Sequence, residues 1–467
     1  MIETTDPRDD AVKKGLDEGV IDPTEDKSLV RRIDLHVLPW ICITYALSLI
    51  DRTNIAAAKI VGMEADLNLT GNQFNVALLV FFITYLVTEI PSNIVIKAVG
   101  TQSYLTVLIT SWGAIAMCFG FVKTYGQLLA LRVLLGFFEG GFNPACIYLI
   151  SCWYKRYEVQ QRLAIWFVFG SVVSGFTGVI SYGLSLMEGQ GGLRGWSWIF
   201  IIPGAITVAV AIPIFFFVAE FPEKAKWLTV EERVMIQRRL AGDQGEDVEG
   251  KGTMKSFLEA ALDWKVYVIS LILMLPTATT YALSFFSPSI LASFGFSVAL
   301  SQVLTTPPYI FGAFVSILTG IMADRVRLRF PFIIGYSILH MAGLATISWG
   351  GSQGARYTGM FLAIAGSNCA IPSALAFLAN NVVGTHKRQF AVPIQTIFGG
   401  IGGIIGSLMF READYPGYRP GIYASFGCMA ANTTLAGGLA LYFWMGNRQA
   451  DRTGKVLEGV PGFRYTV

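Results

Sequence analysis

The feature that most constrains this chain is the recurrence of apolar runs of about twenty residues, roughly twelve of them, separated by polar turns. A helix of that length crosses the hydrocarbon of a bilayer, and in lipid each backbone polar group must be satisfied inside its own segment. The runs therefore predict an all-α membrane protein of twelve transmembrane helices. Expected spans are 36–58, 73–97, 102–121, 126–151, 161–187 and 196–218, then 265–291, 299–323, 331–349, 356–380, 389–410 and 420–445. Composition agrees: 53% of the residues are hydrophobic and only 14% charged, against about a quarter charged in soluble domains.

One long polar segment, 219–264, separates the sixth run from the seventh and divides the chain into two six-helix halves, 36–218 and 265–445. Polar tails, 1–35 and 446–467, flank them, and the first tail lacks the apolar core of a signal peptide. Lys155, Arg156, Arg162, Arg325, Arg327, Arg329, Lys387 and Arg388 lie in alternate loops, on the side of Arg31, Arg32, Arg448 and Arg452. The positive-inside rule then places both termini in the cytoplasm of a multi-pass protein, with the plasma membrane the expected location. A net charge of +3 offers nothing to nucleic acid, and the lipid bilayer is the expected environment of a monomer. Six cysteines without paired or metal-like spacing read as buried small hydrophobes; no cofactor or metal is expected. Asn68-Leu-Thr70 fits a glycosylation sequon, although Thr70 capping the second span explains the same residues.

A charged side chain at the bilayer centre costs roughly 2.5–3.5 kcal/mol on insertion scales, so each one needs a partner or a wet cavity. Away from the span ends the second half has none, whereas the first carries Asp51 and Arg52 in span 1, Glu89 in span 2, and Arg132 and Glu139 in span 4. Counted from the outer ends, Asp51, Arg52 and Arg132 all lie ~9 Å deep, and Glu139 follows Arg132 by two helical turns on nearly the same face. Adjacent residues diverge by about 100° on a helix, so Asp51 and Arg52 are poorly placed to pair with each other. The expected arrangement has Asp51 facing Arg132 and Arg52 facing an anion. Static ion pairing between packed helices is the alternative, and "RVLLGFFEGGFNPA" supplies the glycines for close packing.

Six stretches carry a family resemblance along nearly the whole chain: "RRIDLHVLPW...LIDRTNIAAAK", "YLVTEIPSNIVIK", "RVLLGFFEGGFNPA", "SPSILASFGFSVALSQVLTTPPYIFGAFVSILTGIMADRVRLR", "FLANNVVGTHKR" and "YPGYRPGIYA". They resemble the anion:cation symporter family of the major facilitator superfamily, in its fungal allantoate and nicotinate permease branch. The resemblance implies the major facilitator fold and proton-coupled symport of a small organic carboxylate anion by alternating access. It implies that Arg52 binds the carboxylate, that Asp51 and Glu139 take up protons, that Arg132 partners an acid, and that Tyr85 touches substrate. Tyr281, Asn368 and Gln395 are candidate neutral lining from the second half. Gly320, Asp324 and Arg325 form a loop motif expected to latch the halves, with Gly320 allowing close approach, and Glu89 is a candidate gate partner. Gly400 and Phe377 replace an Asn and a Trp common in the family, which bears on the substrate rather than the mechanism. Export of a carboxylated metabolite, or nutrient sensing without transport, are the competing functions; no nucleophile or nucleotide motif points to an enzyme.

Overall fold

The computed structural model describes residues 23–222, 225, 227–229, 231–236, 239, 261–326, 328–382, 385–458 and 463–466. Among them ten helices are long and apolar enough to cross a membrane. Two further long helices, Gln73–Val99 and Arg419–Thr453, stand at the positions of the second and twelfth expected spans.

The first half comprises α1 (Pro23–Ala58), prolonged by a π turn at Lys59–Met63, then α2 (Gln73–Val99), α3 (Thr101–Phe119), α4 (Tyr125–Glu139), α5 (Phe142–Trp153), α6 (Arg156–Gly175), α7 (Thr177–Ser185) and α8 (Gly195–Phe217). The second comprises α9 (Trp264–Ser293), α10 (Val298–Val303), α11 (Thr306–Val326), α12 (Phe330–Trp349), α13 (Gln353–Asn381), α14 (Thr385–Met409) and α15 (Arg419–Thr453). Three expected spans are thus broken into two helices: α4 with α5, α6 with α7, and α10 with α11. The first break falls at Gly140-Gly141, where the charged face of span 4 ends.

Close packing there depends on missing side chains. A Cβ on Gly136 would lie 2.3 Å from the Phe81 carbonyl oxygen, and one on Gly140 would lie 2.5 Å from that of Tyr85. Glycine therefore lets α4 press directly on the α2 backbone, in the way small residues act between membrane helices. Between the halves α2 packs on α14, α6 on α11, and α1 on α9.

Polar segments fold back beneath each half on the face where α1 starts and α15 ends, called here the terminal face. Under the first half, Trp227 stacks between His36 (ring centroids 4.2 Å apart) and Trp153 (5.5 Å), and Glu232 pairs with Arg32. Beneath the second half, Tyr465 stacks on Phe443 at 4.2 Å. The Tyr465 and Thr466 amides donate to the side-chain oxygens of Asn447 (2.9 Å) and Asn381 (2.8 Å). Glu458 receives Lys265, Lys387 and the Tyr465 hydroxyl, which ties the starts of α9 and α14 to the segment after α15. The tail expected over 446–467 is therefore helical to Thr453 and then clasped to the bundle.

Burial alone would raise the Glu458 carboxyl, but hydrogen bonds from Lys265, Lys387 and Tyr465 outweigh it and hold the group at about 2. A carboxylate depressed in this way stabilises the clasp fully above the ordinary carboxylate range, and that contribution is lost as pH falls through about 2. Hydrogen exchange should show the Tyr465 and Thr466 amides protected from neutral pH down to about 4. Glu458→Gln should accelerate their exchange roughly tenfold at neutral pH. Unchanged protection in that variant contradicts the clasp.

Candidate functional site

The central site forms where α1, α2, α4 and α9 meet. Arg52, Glu139, Arg132 and Asp51 are each at most 3% exposed. Arg52 forms an ion pair with Glu139: its Nε donates to Oε1 at 3.1 Å, and Nη2 donates to the same oxygen. Ser48, one turn earlier on α1, also donates to Oε1, at 2.7 Å. Three donors thus converge on one carboxylate oxygen, while Oε2 of Glu139 has no hydrogen-bond partner among the described residues.

The remaining arm of the guanidinium crosses to the other half, where Nη1 donates to the Tyr281 hydroxyl at 2.7 Å. Aromatic rings wall the cation, with the Tyr85 centroid at 5.0 Å, Phe81 at 5.3 Å and Tyr281 at 5.9 Å. Such rings favour a cation electrostatically, and more so when it is desolvated. The Tyr85 hydroxyl accepts from Asn143 Nδ2 at 2.7 Å, which fixes the ring against the start of α5. Arg52, Tyr85 and Tyr281 therefore share one site, with Glu139 as its acid.

Asp51 does not face Arg132. Its Oδ2 accepts from Thr207 of α8 at 3.1 Å, and its Oδ1 has no hydrogen-bond partner among the described residues. Arg132 lies against the rings of Phe119 (5.2 Å) and Phe81 (6.0 Å), forms no ion pair, and leaves Nε and Nη2 without acceptors among the described residues. Depth along a helix fixes height but not azimuth. The 100° that separates Asp51 from Arg52 turns Asp51 toward α8, whereas α4 presents Arg132 to α2 and α3. The expected acid partner of Arg132 is likewise not formed in this conformation.

The second-half candidates divide. Tyr281 enters the site, but Gln395 is 2% exposed and its amide donates to the Ala374 carbonyl at 3.1 Å, joining α14 to α13. A polar residue in a membrane helix finds a backbone carbonyl as readily as a ligand, and the sequence does not distinguish the two. Asn368 lines a different crevice, between α6 and α11, of about 20 Å³, room for a single water-sized molecule. His340 is satisfied in the bundle by the Ala363 carbonyl at 2.7 Å and Ser425 at 3.2 Å.

Of the loop motif expected to latch the halves, the surroundings of Gly320 and Arg325 are described. A Cβ on Gly320 would meet nothing within 4 Å, so no neighbour approaches closely there, and Arg325 is exposed. The side chain of Asp324 lies outside the described residues. Glu89 is 6% exposed, and its Oε2 has no hydrogen-bond partner among the described residues. Asn68 is exposed, as a glycan acceptor must be, with a left-handed φ of 49°. Thr70 does not cap α2 through its side chain; its amide donates to Gln73 Oε1 at 2.9 Å.

Sequence reasoning missed Lys59. Its ammonium is 2% exposed, pairs with Glu412 from the segment between α14 and α15, and lies 3.8 Å from Glu64. It faces the rings of Phe74 (4.6 Å) and Phe286 (5.2 Å). Close by, Asn75 Nδ2 donates to the carbonyls of Ser407 (2.6 Å) and Phe410 (2.7 Å). These contacts bind the halves on the face away from the termini. An available signal was a lysine directly after the first apolar run, followed by further apolar residues, with Glu412 in a loop of the second half.

A buried charged cluster at the junction of two helical halves gives this polytopic membrane protein a polar centre that both halves share. The chain belongs to the Major Facilitator Superfamily, whose profile matches residues 41–407. It is 31% identical over 424 residues to the MFS-type transporter cnsO of Penicillium expansum, covering 88% of this chain and 82% of that protein. It is 30% identical over 412 residues to the high-affinity nicotinic acid transporter of Saccharomyces cerevisiae, covering 88% and 77%. The fold matches a bacterial homologue of the human lysosomal transporter Spinster, crystallised in an inward-facing, occupied conformation, with a TM-score of 0.62 at 15% identity over 92% of this chain and 98% of that one. The protein is a multi-pass membrane transporter of a small molecule, not an enzyme.

Proposed function

We propose that this transporter carries a small organic monocarboxylate together with protons by alternating access, with its terminal face in the cytoplasm. The observation that carries the reading is the Arg52–Glu139 pair, a guanidinium fork whose present carboxylate occupant can be neutralised by one proton. The nicotinic acid carried by the yeast relative is a carboxylate of the size this chemistry suits.

Protonation of Glu139 removes the charge that holds Arg52. The freed fork then accepts a substrate carboxylate through two charge-assisted hydrogen bonds, so proton and anion bind cooperatively. Pairing also offsets the cost of leaving a bare guanidinium in the membrane during the empty return. Tyr281 ties the same cation to the second half, so substrate arrival at Arg52 is felt by both halves.

Uptake of labelled carboxylates, beginning with nicotinate, into vesicles containing the purified chain tests the reading. Accumulation should require an inward proton gradient and collapse with a protonophore. Uptake indifferent to the gradient contradicts coupling, and no uptake across the panel contradicts the substrate class.

In this reading the Lys59–Glu412 pair closes the far face and must part for substrate to enter there. A cysteine at Tyr281, in a chain whose six native cysteines are replaced, reports access to the site. Glu412→Gln should raise its labelling by a membrane-impermeant maleimide from the far side roughly two- to fivefold, the scale of a partly exposed ion pair. Glu64→Gln, which breaks only a contact within the first half, should leave the rate unchanged. Equal rates in the two variants rule out the latch.

A further inference from the structure

Glu89, like Asp51, is a buried membrane carboxylate that the mechanism above leaves unused. It lies on α2 one turn after Tyr85 and one turn before Ser92, so the three share a face. The two flanking residues show what that face meets. Tyr85 accepts from Asn143, and Ser92 donates to the Gly141 carbonyl at 2.8 Å. Glu89 is therefore set against the break between α4 and α5, the glycine-rich interruption that follows Glu139.

The polar atoms at this break are out of balance. Glu139 Oε2, Asn143 Oδ1 and Glu89 Oε2 are all buried and all without a donor among the described residues. Each is an acceptor, and a buried acceptor without a donor costs about 1–3 kcal/mol. Titratable groups on the elements packed here include Tyr85 on α2, Glu139 and Arg132 on α4, Cys146 and Tyr148 on α5, Tyr104 on α3 and Arg52 on α1. Arg52 is committed to Glu139 and Tyr281, and Tyr104 to Ser92. None of them hydrogen-bonds to Glu89. Among the described residues no cation pairs with Glu89, so an ionised carboxylate here is left without an offset to its burial, whereas a protonated one supplies a donor.

We propose that Glu89 is a second proton-binding carboxylate of the transport cycle, placed about one helical turn, ~6 Å, from the Arg52 site toward the terminal face. The inference rests on the symport reading and adds a proton station to it. On loading, hydronium gives its proton to a carboxylate oxygen, an O–H bond forms and water leaves; release at the terminal face reverses this, and no electron moves. Glu139 governs whether Arg52 is free to hold the anion. Glu89 has no contact with Arg52, so its proton adds charge to the cycle without competing for substrate.

Two readouts separate this role from packing. In substrate-free protein, infrared difference spectra between acid and alkaline buffer should contain a protonated-carboxyl band that loses intensity in Glu89→Gln and returns in Glu89→Asp. In vesicles, Glu89→Gln should lower proton-driven nicotinate accumulation at least about tenfold while shifting the KM for nicotinate exchange less than about twofold. Glu139→Gln should change that KM. An unchanged infrared difference in Glu89→Gln overturns the proposal, as does a KM shift equal to that of Glu139→Gln. If nicotinate is not carried, the symport reading suffers and the infrared titration alone decides whether Glu89 binds the proton.

Discussion

Arg52→Lys lowers kcat/KM for the transported carboxylate by about a hundredfold in uptake assays on vesicles. Lysine keeps the charge but not the planar fork, so it cannot offer two parallel N–H groups to a carboxylate and a third to Tyr281. Losing two charge-assisted bonds and gaining one poorer contact costs about 3 kcal/mol, which is the hundredfold. Arg52→Ala goes further, because it strands Glu139 in the membrane, and breaking a buried pair costs about 3–5 kcal/mol. Lower thermal stability should accompany the alanine variant and not the lysine one. Uptake by Arg52→Lys within a few-fold of the unsubstituted chain removes Arg52 from substrate binding.

Glu139→Gln has the second-largest expected effect, and its sign differs between two assays. Glutamine cannot exchange a proton, and being neutral it leaves Arg52 free at every pH. Concentrative uptake should fall at least about tenfold, while the apparent KM for exchange decreases because the anion no longer competes with the Glu139 carboxylate. The same fall in both assays, with no change in KM, would assign Glu139 a packing role.

Much of this arrangement was legible in the chain. Apolar runs set the helices, and the rarity of charge in lipid singled out Asp51, Arg52, Glu89, Arg132 and Glu139. Depth along the helices brought Arg52 and Glu139 into one region, and the structure pairs them. Azimuth was not legible. Which neighbour Asp51 meets depends on how α1 is rotated against α8, and that rotation is fixed by packing across many residues rather than by local spacing. Gln395 illustrates a second limit: whether an amide serves the α13 backbone or a ligand depends on which face of α14 is buried.

Lys59 illustrates a third limit, because its partner Glu412 lies 353 positions away and only the assembled halves bring them together. The π turn at Lys59–Met63, with Gly62 at a φ of 117°, is also invisible to a count of apolar residues. It ends the regular helix of α1 just where the lysine meets the second half. The clasp around Glu458 was missed for a related reason. A short polar tail reads as solvated chain unless its few aromatic and amide groups find specific sites, as Tyr465 does on Phe443.

The central claim is that a carboxylate and a proton enter together through Arg52 and Glu139. Its most direct measurement is the pH of a lightly buffered suspension of vesicles containing the purified chain, recorded as nicotinate is added outside. External pH should rise as nicotinate enters, by an amount proportional to the uptake, and the rise per nicotinate should fall in Glu139→Gln. Nicotinate uptake with no accompanying proton movement, or an undiminished alkaline shift in Glu139→Gln, would contradict the account.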